Sequence, residues 1–350
     1  MLRWLISGDL QIHAWKQFSH TRKDGMNSRL WNCLHVFDVL LKEAQKRGIT
    51  KILINGDLFE ENSYIDIEVF DATCRKIQML HKAGMEICIN MGNHDVSRQS
   101  GRHVLHSLGA FRPIAKIVEE PTLVWQHIFV VPWSPSADKI KEAIKSCRAT
   151  KETSLVGHFG VYGAKTGPKG YIPKNAITVM DLKADKFGLV LLSDYHTRQR
   201  LADNVYYLGS PLQHSFGEIH RPCIWSVSLD REKVFTTERV YTSFPQFRNW
   251  DSDASLSRFR KDTAGWHGDY VRVRPHAGLP EQAIKRTARE IGFHVQIVSG
   301  KEDNVPSAVR MGDEYNLRRT FRQYVRREIA GRERQERLLK LGNKLYRGEM

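Results

Sequence analysis

Five stretches of the chain place oxygen and imidazole donors directly after an apolar run. They are Gly8-Asp9-Leu10-Gln11-Ile12-His13, Gly56-Asp57, Gly92-Asn93-His94-Asp95, Gly157-His158 and Ser193-Asp194-Tyr195-His196. Carboxylate, imidazole and amide oxygen together form a donor set for divalent manganese, iron, zinc or magnesium. Such ions neutralise phosphate charge and activate water. Each stretch alone has a plainer reading. Gly, Asn and Asp form turns, so Asp9 or Asp57 would serve in an ordinary turn, and His158 would serve as a satisfied core histidine. Five such clusters, each behind an apolar run, are more than turn chemistry accounts for.

The apolar runs must then be strands that end at one place. Residues 2–7, 51–55 and 86–91 are short, mostly apolar runs. Between them, 28–47 and 65–83 have helical periodicity, with Leu30, Leu34, Phe37, Leu40, Leu41 and Ala44 at three- and four-residue spacings and Gly48 suited to a C-cap. This alternation predicts parallel strands covered by helices, and ligands bind at the C-terminal ends of such strands. Further strands are predicted near 114–118, 128–132, 154–158, 187–192, 222–229 and 233–240, with helices over 101–109 and 137–147. Apolar periodicity fades over 241–265. A strand–helix–strand module is predicted over 269–298, then a polar linker over 301–313 and a basic helical segment over 314–346.

The chain has 350 residues, with 54 Lys and Arg against 39 Asp and Glu, a formal net charge of +15. That excess favours a polyanionic partner over a surface merely kept soluble by charge. No apolar run approaches membrane-spanning length, and Met1–Ile6 lacks the layout of a signal peptide. The five cysteines are scattered and form no CxxC pair, which argues against a disulfide or zinc framework and for a reducing, cytoplasmic setting.

In their serial order the five motifs resemble those of the calcineurin-like metallophosphoesterases, over residues 1–240. Within that superfamily, Tyr207-Leu208-Gly209-Ser210-Pro211 and Ser215-Phe216-Gly217-Glu218 resemble a stretch of the SbcD-like nuclease subunits of DNA double-strand-break repair. The resemblance implies an α/β fold, a two-sheet β-sandwich flanked by helices, as a nuclease domain over 1–240. It further implies a small α+β capping domain over 241–300, and over 301–350 a linker and basic helical segment that docks on an SbcC-like SMC-type ATPase. A homodimer is implied as well, with 30–47 and 65–83 as candidate helices. No membrane partner is expected.

The resemblance also implies roles. Asp57 would bridge two divalent metal ions, Asp9 and His196 would bind the first, and Asn93 and His158 the second. His94 would protonate the leaving oxygen, and Asp95 would orient the neighbouring backbone or His94. The sequence departs from the family pattern at two positions where a histidine is usual: Gln11 and Asp194 stand there. Both are oxygen donors, which favours Mn²⁺, or Mg²⁺, over zinc. His13 is an alternative to Gln11, two positions further along the loop.

Other features are weighed against plainer readings. Lys165, Lys169 and Lys174 lie amid Gly and Pro and would contact a phosphate backbone, or form a plain solvated loop. In the basic segment, Leu317, Phe321, Tyr324, Val325, Ile329 and Leu338 form an apolar stripe suited to a partner groove, or to packing on the chain's own domain. His214 and His220 follow no ligand spacing and read as surface or structural, with a place near the site as the alternative for His214, beside Pro211 and Phe216. The expected activity is a manganese-dependent DNA nuclease, both 3′-to-5′ exonuclease and endonuclease. The alternatives are a phosphoesterase acting on small phosphodiesters or phosphoproteins, and a DNA-end-binding scaffold with weakened catalysis.

Overall fold

A computed structural model describes residues 1–97, 106–166, 177–218, 220–252, 255–275 and 279–298, together with Glu336 and Leu338. Residues 1–300 form one compact unit and 301–350 a second.

Two six-stranded sheets make up most of the first unit. The first runs β12 (Phe235–Tyr241), β11 (Cys223–Leu229), β1 (Leu2–Ser7), β2 (Lys51–Asn55), β3 (Glu86–Asn90) and β4 (Lys116–Val118). The second runs β5 (Thr122–Val124), β6 (Ile128–Val131), β7 (Ser154–His158), β8 (Leu189–Ser193), β10 (Val205–Tyr207) and β9 (Gln199–Ala202). The strands β1 to β4 pair in parallel, as do β6, β7, β8 and β10; antiparallel strands extend the first sheet beyond β1 and flank the second on both sides.

Strand alternation separates the layers. Trp4, Ile6, Leu53 and Cys88 of the first sheet pack with Val130, Val156 and Leu191 of the second in the middle of the sandwich. Leu5, Ile52, Ile54 and Ile89 point the other way, onto α1 (Ser28–Arg47) and α2 (Ile67–Lys82). Leu155, Val190 and Leu192 face α3 (Ala137–Ser146) through Ile140 and Ile144. Helix α1 has the predicted bounds because both ends are capped: Asn27 accepts from the amides of Arg29 and Leu30, and Gly48 closes the other end in a left-handed conformation.

The remainder of the unit is a small module with its own core. Strands β13 (Phe247–Ser252), β14 (Tyr270–Pro275) and β15 (His294–Ile297) form a parallel sheet, packed with α4 (Leu256–Thr263) and α5 (Glu281–Ile291). The break predicted over 241–265 is thus a strand and a helix. Its apolar signal is weak because Phe247 and Trp250 are used on opposite faces, one against the larger body and one in the module's core.

Of the helix predicted over 101–109, residues 101–105 lie outside the described residues, and Ser107–Phe111 form a 3₁₀ turn. In the second unit Glu336 and Leu338 are helical. Leu317, Phe321, Tyr324, Val325 and Ile329 lie outside the described residues, as do Lys169 and Lys174.

Candidate active site

The two sheets are tied together at the C-terminal ends of their central strands by buried amides. Asn90, at the end of β3, donates to the Val131 carbonyl and to Asn55 Oδ1. Asn55, at the end of β2, donates to the Gly157 carbonyl at 2.9 Å and to Ser193 Oγ at 3.0 Å. An unpaired amide here would cost about 1–3 kcal/mol, so the ladder fixes how the two sets of strand ends meet. Neither asparagine stood out in the sequence, since each reads as the polar end of an apolar run.

Asp57 follows this ladder with a φ of +52°, in a region that non-glycine residues seldom occupy. Asp95 holds it there. Its buried carboxylate accepts from the amides of Asp57 (3.0 Å), Leu58 (3.0 Å) and Gly92 (2.8 Å). Burial and the neighbouring Asp57 push Asp95 up to about 6, against the pull of these hydrogen bonds. Among the described residues no hydrogen bond joins Asp95 to the His94 ring. Gly92 must be glycine for steric reasons, because a β-carbon there would overlap the Asp57 carboxylate. A β-carbon at Gly56 would likewise overlap His158 Nδ1, and its φ of +81° is also one that glycine tolerates best.

His158 arrives from the second sheet, fully buried, and faces these groups. Its Nδ1 donates to the Asn55 carbonyl at 2.8 Å, which leaves Nε2 3.2 Å from Asp57 Oδ1 and 3.1 Å from Asn93 Oδ1. Asp9 lies beside it, with Oδ1 4.0 Å from His158 Nδ1 and accepting from the Asp194 amide at 3.1 Å. Asp9, Gln11 and Asp194 share the positive φ of Asp57, at +53°, +41° and +101°. Such strain costs on the order of 1–3 kcal/mol per residue and gathers at functional sites.

The cluster draws positive charge. Burial raises Asp9 to about 6, partly relieved by His158 and His196. Burial also works against the charge on Asp57, but His158 outweighs it and brings Asp57 down to about 2. Burial disfavours a charged His158, yet Asp57 and Asp9 hold it well above the ordinary histidine value. Asp9, Asp57 and His158 each bring one donor atom within 4.8 Å of the others. Asp9 Oδ2 is buried with no hydrogen-bond partner among the described residues. An uncompensated buried carboxylate oxygen is costly, so this donor set fits a divalent cation.

Above the cluster opens a cavity of about 580 Å³. Asp57, Asn93, His94, Asp194, His196 and Gln11 all line it. His13 does not; it is half-buried, its ring edge-on to Trp15 at 5.0 Å. His94 Nδ1 donates to the Glu60 carbonyl at 2.6 Å, so Nε2 is the nitrogen left for the cavity. His196 Nδ1 pairs with Glu218 at 2.9 Å. Burial opposes its charge, but Glu218 carries His196 up to about 10, while Glu218, itself buried, falls to about 2. Lys165 is exposed and outside the cavity lining.

His214 lines the cavity, the alternative its sequence left open, and its contacts there are structural. Its Nε2 donates to the Asp9 carbonyl at 3.0 Å, and its amide donates to Glu218 at 3.0 Å. Burial lowers it to about 4, so the ring stays neutral. No ligand spacing marks it, because its contact is to backbone. Glu60, Arg29 and Arg272 also line the cavity without a sequence signal. Glu218 had one, as the last residue of the Ser215–Glu218 stretch.

Residues 2–207 match the family described as Calcineurin-like phosphoesterase. The chain is similar to the "Putative phosphoesterase 078R" of Invertebrate iridescent virus 3, 25% identical over 221 residues, covering 59% of this chain and 60% of that protein. It is also similar to "Exonuclease subunit 1" of Enterobacteria phage T4, 24% identical over 203 residues, covering 55% of this chain and 57% of that one. The matches thus span about three-fifths of each relative's length. Among solved structures, a dimetal phosphatase from Danio rerio aligns with a TM-score of 0.37 and 8% identity, covering 68% of this chain and 95% of that one. A Pseudomonas putida nuclease, MPE, aligns with a TM-score of 0.30 and 14% identity, covering 68% and 87%. At such TM-scores the structural likeness carries no functional weight.

Proposed function

The chain belongs to the calcineurin-like phosphoesterase family, and from that premise we propose that it is a metal-dependent DNA nuclease, with 3′-to-5′ exonuclease and endonuclease activity. The observation that carries the hydrolytic part is the buried set Asp9, Asp57 and His158 beneath the cavity that His94 lines. The exonuclease name of the phage relative and the net charge of +15 favour DNA over a small phosphodiester.

In this reading Asp9, Gln11, Asp57, Asn93, His158, Asp194 and His196 hold two divalent ions, Mn²⁺ or Mg²⁺. When bound, the ions supply charge neutralisation at the phosphate and a nucleophile at neutral pH. The chain's residues do the rest. His94, held through Nδ1 by the Glu60 carbonyl, turns Nε2 toward the leaving oxygen as its general acid. Asp95 keeps the Asp57 loop in its strained form. Glu218 and His214 fix His196 and the Asp9 turn. The reading includes residues 241–300 as a capping domain, 301–350 as a docking segment for an SbcC-like SMC-type ATPase, and a homodimer.

Linear DNA incubated with Mn²⁺ tests the proposal. Wild-type protein degrades it, and His94→Ala lowers the rate about 10²–10⁴-fold, the usual contribution of a general acid. Hydrolysis of small phosphodiesters alone would refute the nuclease reading, and metal-independent DNA binding without cleavage would replace it with a scaffold.

A further inference from the structure

Strand β14 reads Tyr270-Val271-Arg272-Val273-Arg274. Val271 and Val273 enter the small module's core. Tyr270 and Arg272 therefore face the other way, toward the phosphoesterase body. Tyr270 packs against Phe18 and Phe247, and its hydroxyl accepts from Asn32 of α1 at 3.1 Å. This contact seats the module so that Arg272 lines the same cavity as His94, Asp194 and His196.

The Arg272 side chain is held without being neutralised. Its guanidinium lies over the Phe216 ring, 3.9 Å from the centroid, and Nε donates to Gln296 Oε1 at 3.3 Å. Nη1 and Nη2 have no hydrogen-bond partner among the described residues. Its neighbours in the sheet differ: Arg248 pairs with Asp269 at 2.5 Å and Arg274 with Asp251 at 3.6 Å. Arg272 shares its cavity with Asp57, Glu60, Asp194 and Glu218, yet makes an ion pair with none of them. A second guanidinium reinforces this wall. Arg29, at the start of α1, is 5% exposed, lies 5.0 Å from the Phe247 ring centroid, and donates to the His214 carbonyl at 3.0 Å. It too has no carboxylate partner among the described residues. A planar guanidinium with two free donors matches phosphate oxygens bidentately.

We infer that Arg272 is a substrate-binding residue of the cavity, receiving a phosphate of a polynucleotide adjacent to the one that is cleaved, with Arg29 supplying positive field behind it. The inference rests on the nuclease reading and sharpens it. The small module would select a substrate with more than one phosphate, while the strand-end cluster acts on one.

The 350-residue chain with Mn²⁺ is assayed on two substrates: a DNA oligonucleotide, and the p-nitrophenyl ester of thymidine 5′-phosphate, which carries a single phosphate. In Arg272→Ala and Arg272→Gln, KM for the oligonucleotide rises about tenfold, while ester hydrolysis stays within about twofold of wild type. The slope of log kcat/KM against log salt falls by about one for the oligonucleotide. Arg272→Lys recovers part of the loss. Equal losses on both substrates, or no loss on either, would overturn the inference and leave the nuclease reading intact. Wild-type hydrolysis of the ester without cleavage of the oligonucleotide would overturn both.

Discussion

The floor of the cavity and its arginine wall are built from different materials. The floor consists of strand ends: Asp9, Asp57, Asn93 and His158 follow β1, β2 and β3 or end β7. These groups sit on a rigid double sheet cross-linked by Asn55 and Asn90, and Asp9, Asp57 and His158 are almost fully buried. The wall consists of Arg29, Phe216, Phe247 and Arg272, drawn from a helix start, a loop and the small module's sheet. Its contacts are ring faces and guanidinium groups, with few directional bonds. The floor is suited to fix reacting atoms, where a small displacement is costly. The wall is suited to hold charge near a flexible polyanion, where position matters less than sign.

Substitutions can break that contrast. The largest effect belongs under the floor. Asp95→Ala leaves the amides of Asp57, Leu58 and Gly92 without their acceptor and should cost on the order of 3 kcal/mol of stability, read from the denaturant midpoint. It should also abolish activity, because the Asp57 backbone loses its restraint. A stable, active Asp95→Ala would show that the floor is not held from beneath. Glu218→Gln comes next. It removes the carboxylate that accepts from His196 Nδ1 and fixes the ring with Nε2 free to ligate, and should lower activity or metal affinity about 10–100-fold on any substrate. Arg272→Ala is the smallest, about tenfold, and only for the polymeric substrate. If Glu218→Gln discriminated between substrates and Arg272→Ala did not, the assignment of the two surfaces would be reversed.

The floor was legible in the sequence because each of its residues ends an apolar run, a contrast confined to a few neighbouring positions. Helix α1 was legible for a similar reason, from its apolar periodicity and Gly48 at its C-terminal end; its N-cap, Asn27, emerged only in the structure. The wall was not. Arg272 reads as one arginine of an alternating strand, and nothing local says that its face meets the cavity. Strand β13 was missed because Phe247 and Trp250 serve opposite faces, and β9 because Gln199–Ala202 is a short, polar edge strand. His214 could be placed near the site but given no role, because it acts on the Asp9 carbonyl, a backbone atom without sequence identity. Between Gln11 and His13 the sequence left both open. The backbone turn, with φ of +41° at Gln11, places Gln11 in the cavity lining and His13 against Trp15.

The central claim is that the strand-end cluster is a divalent-metal site. Calorimetric titration of Mn²⁺ into wild-type protein and into Asp57→Asn tests it most directly, with circular dichroism to show that both are folded. The account predicts saturable binding of two ions per chain in the wild type and loss of at least one in Asp57→Asn. Absence of binding to the wild type, or the same stoichiometry and affinity in both proteins, would contradict it.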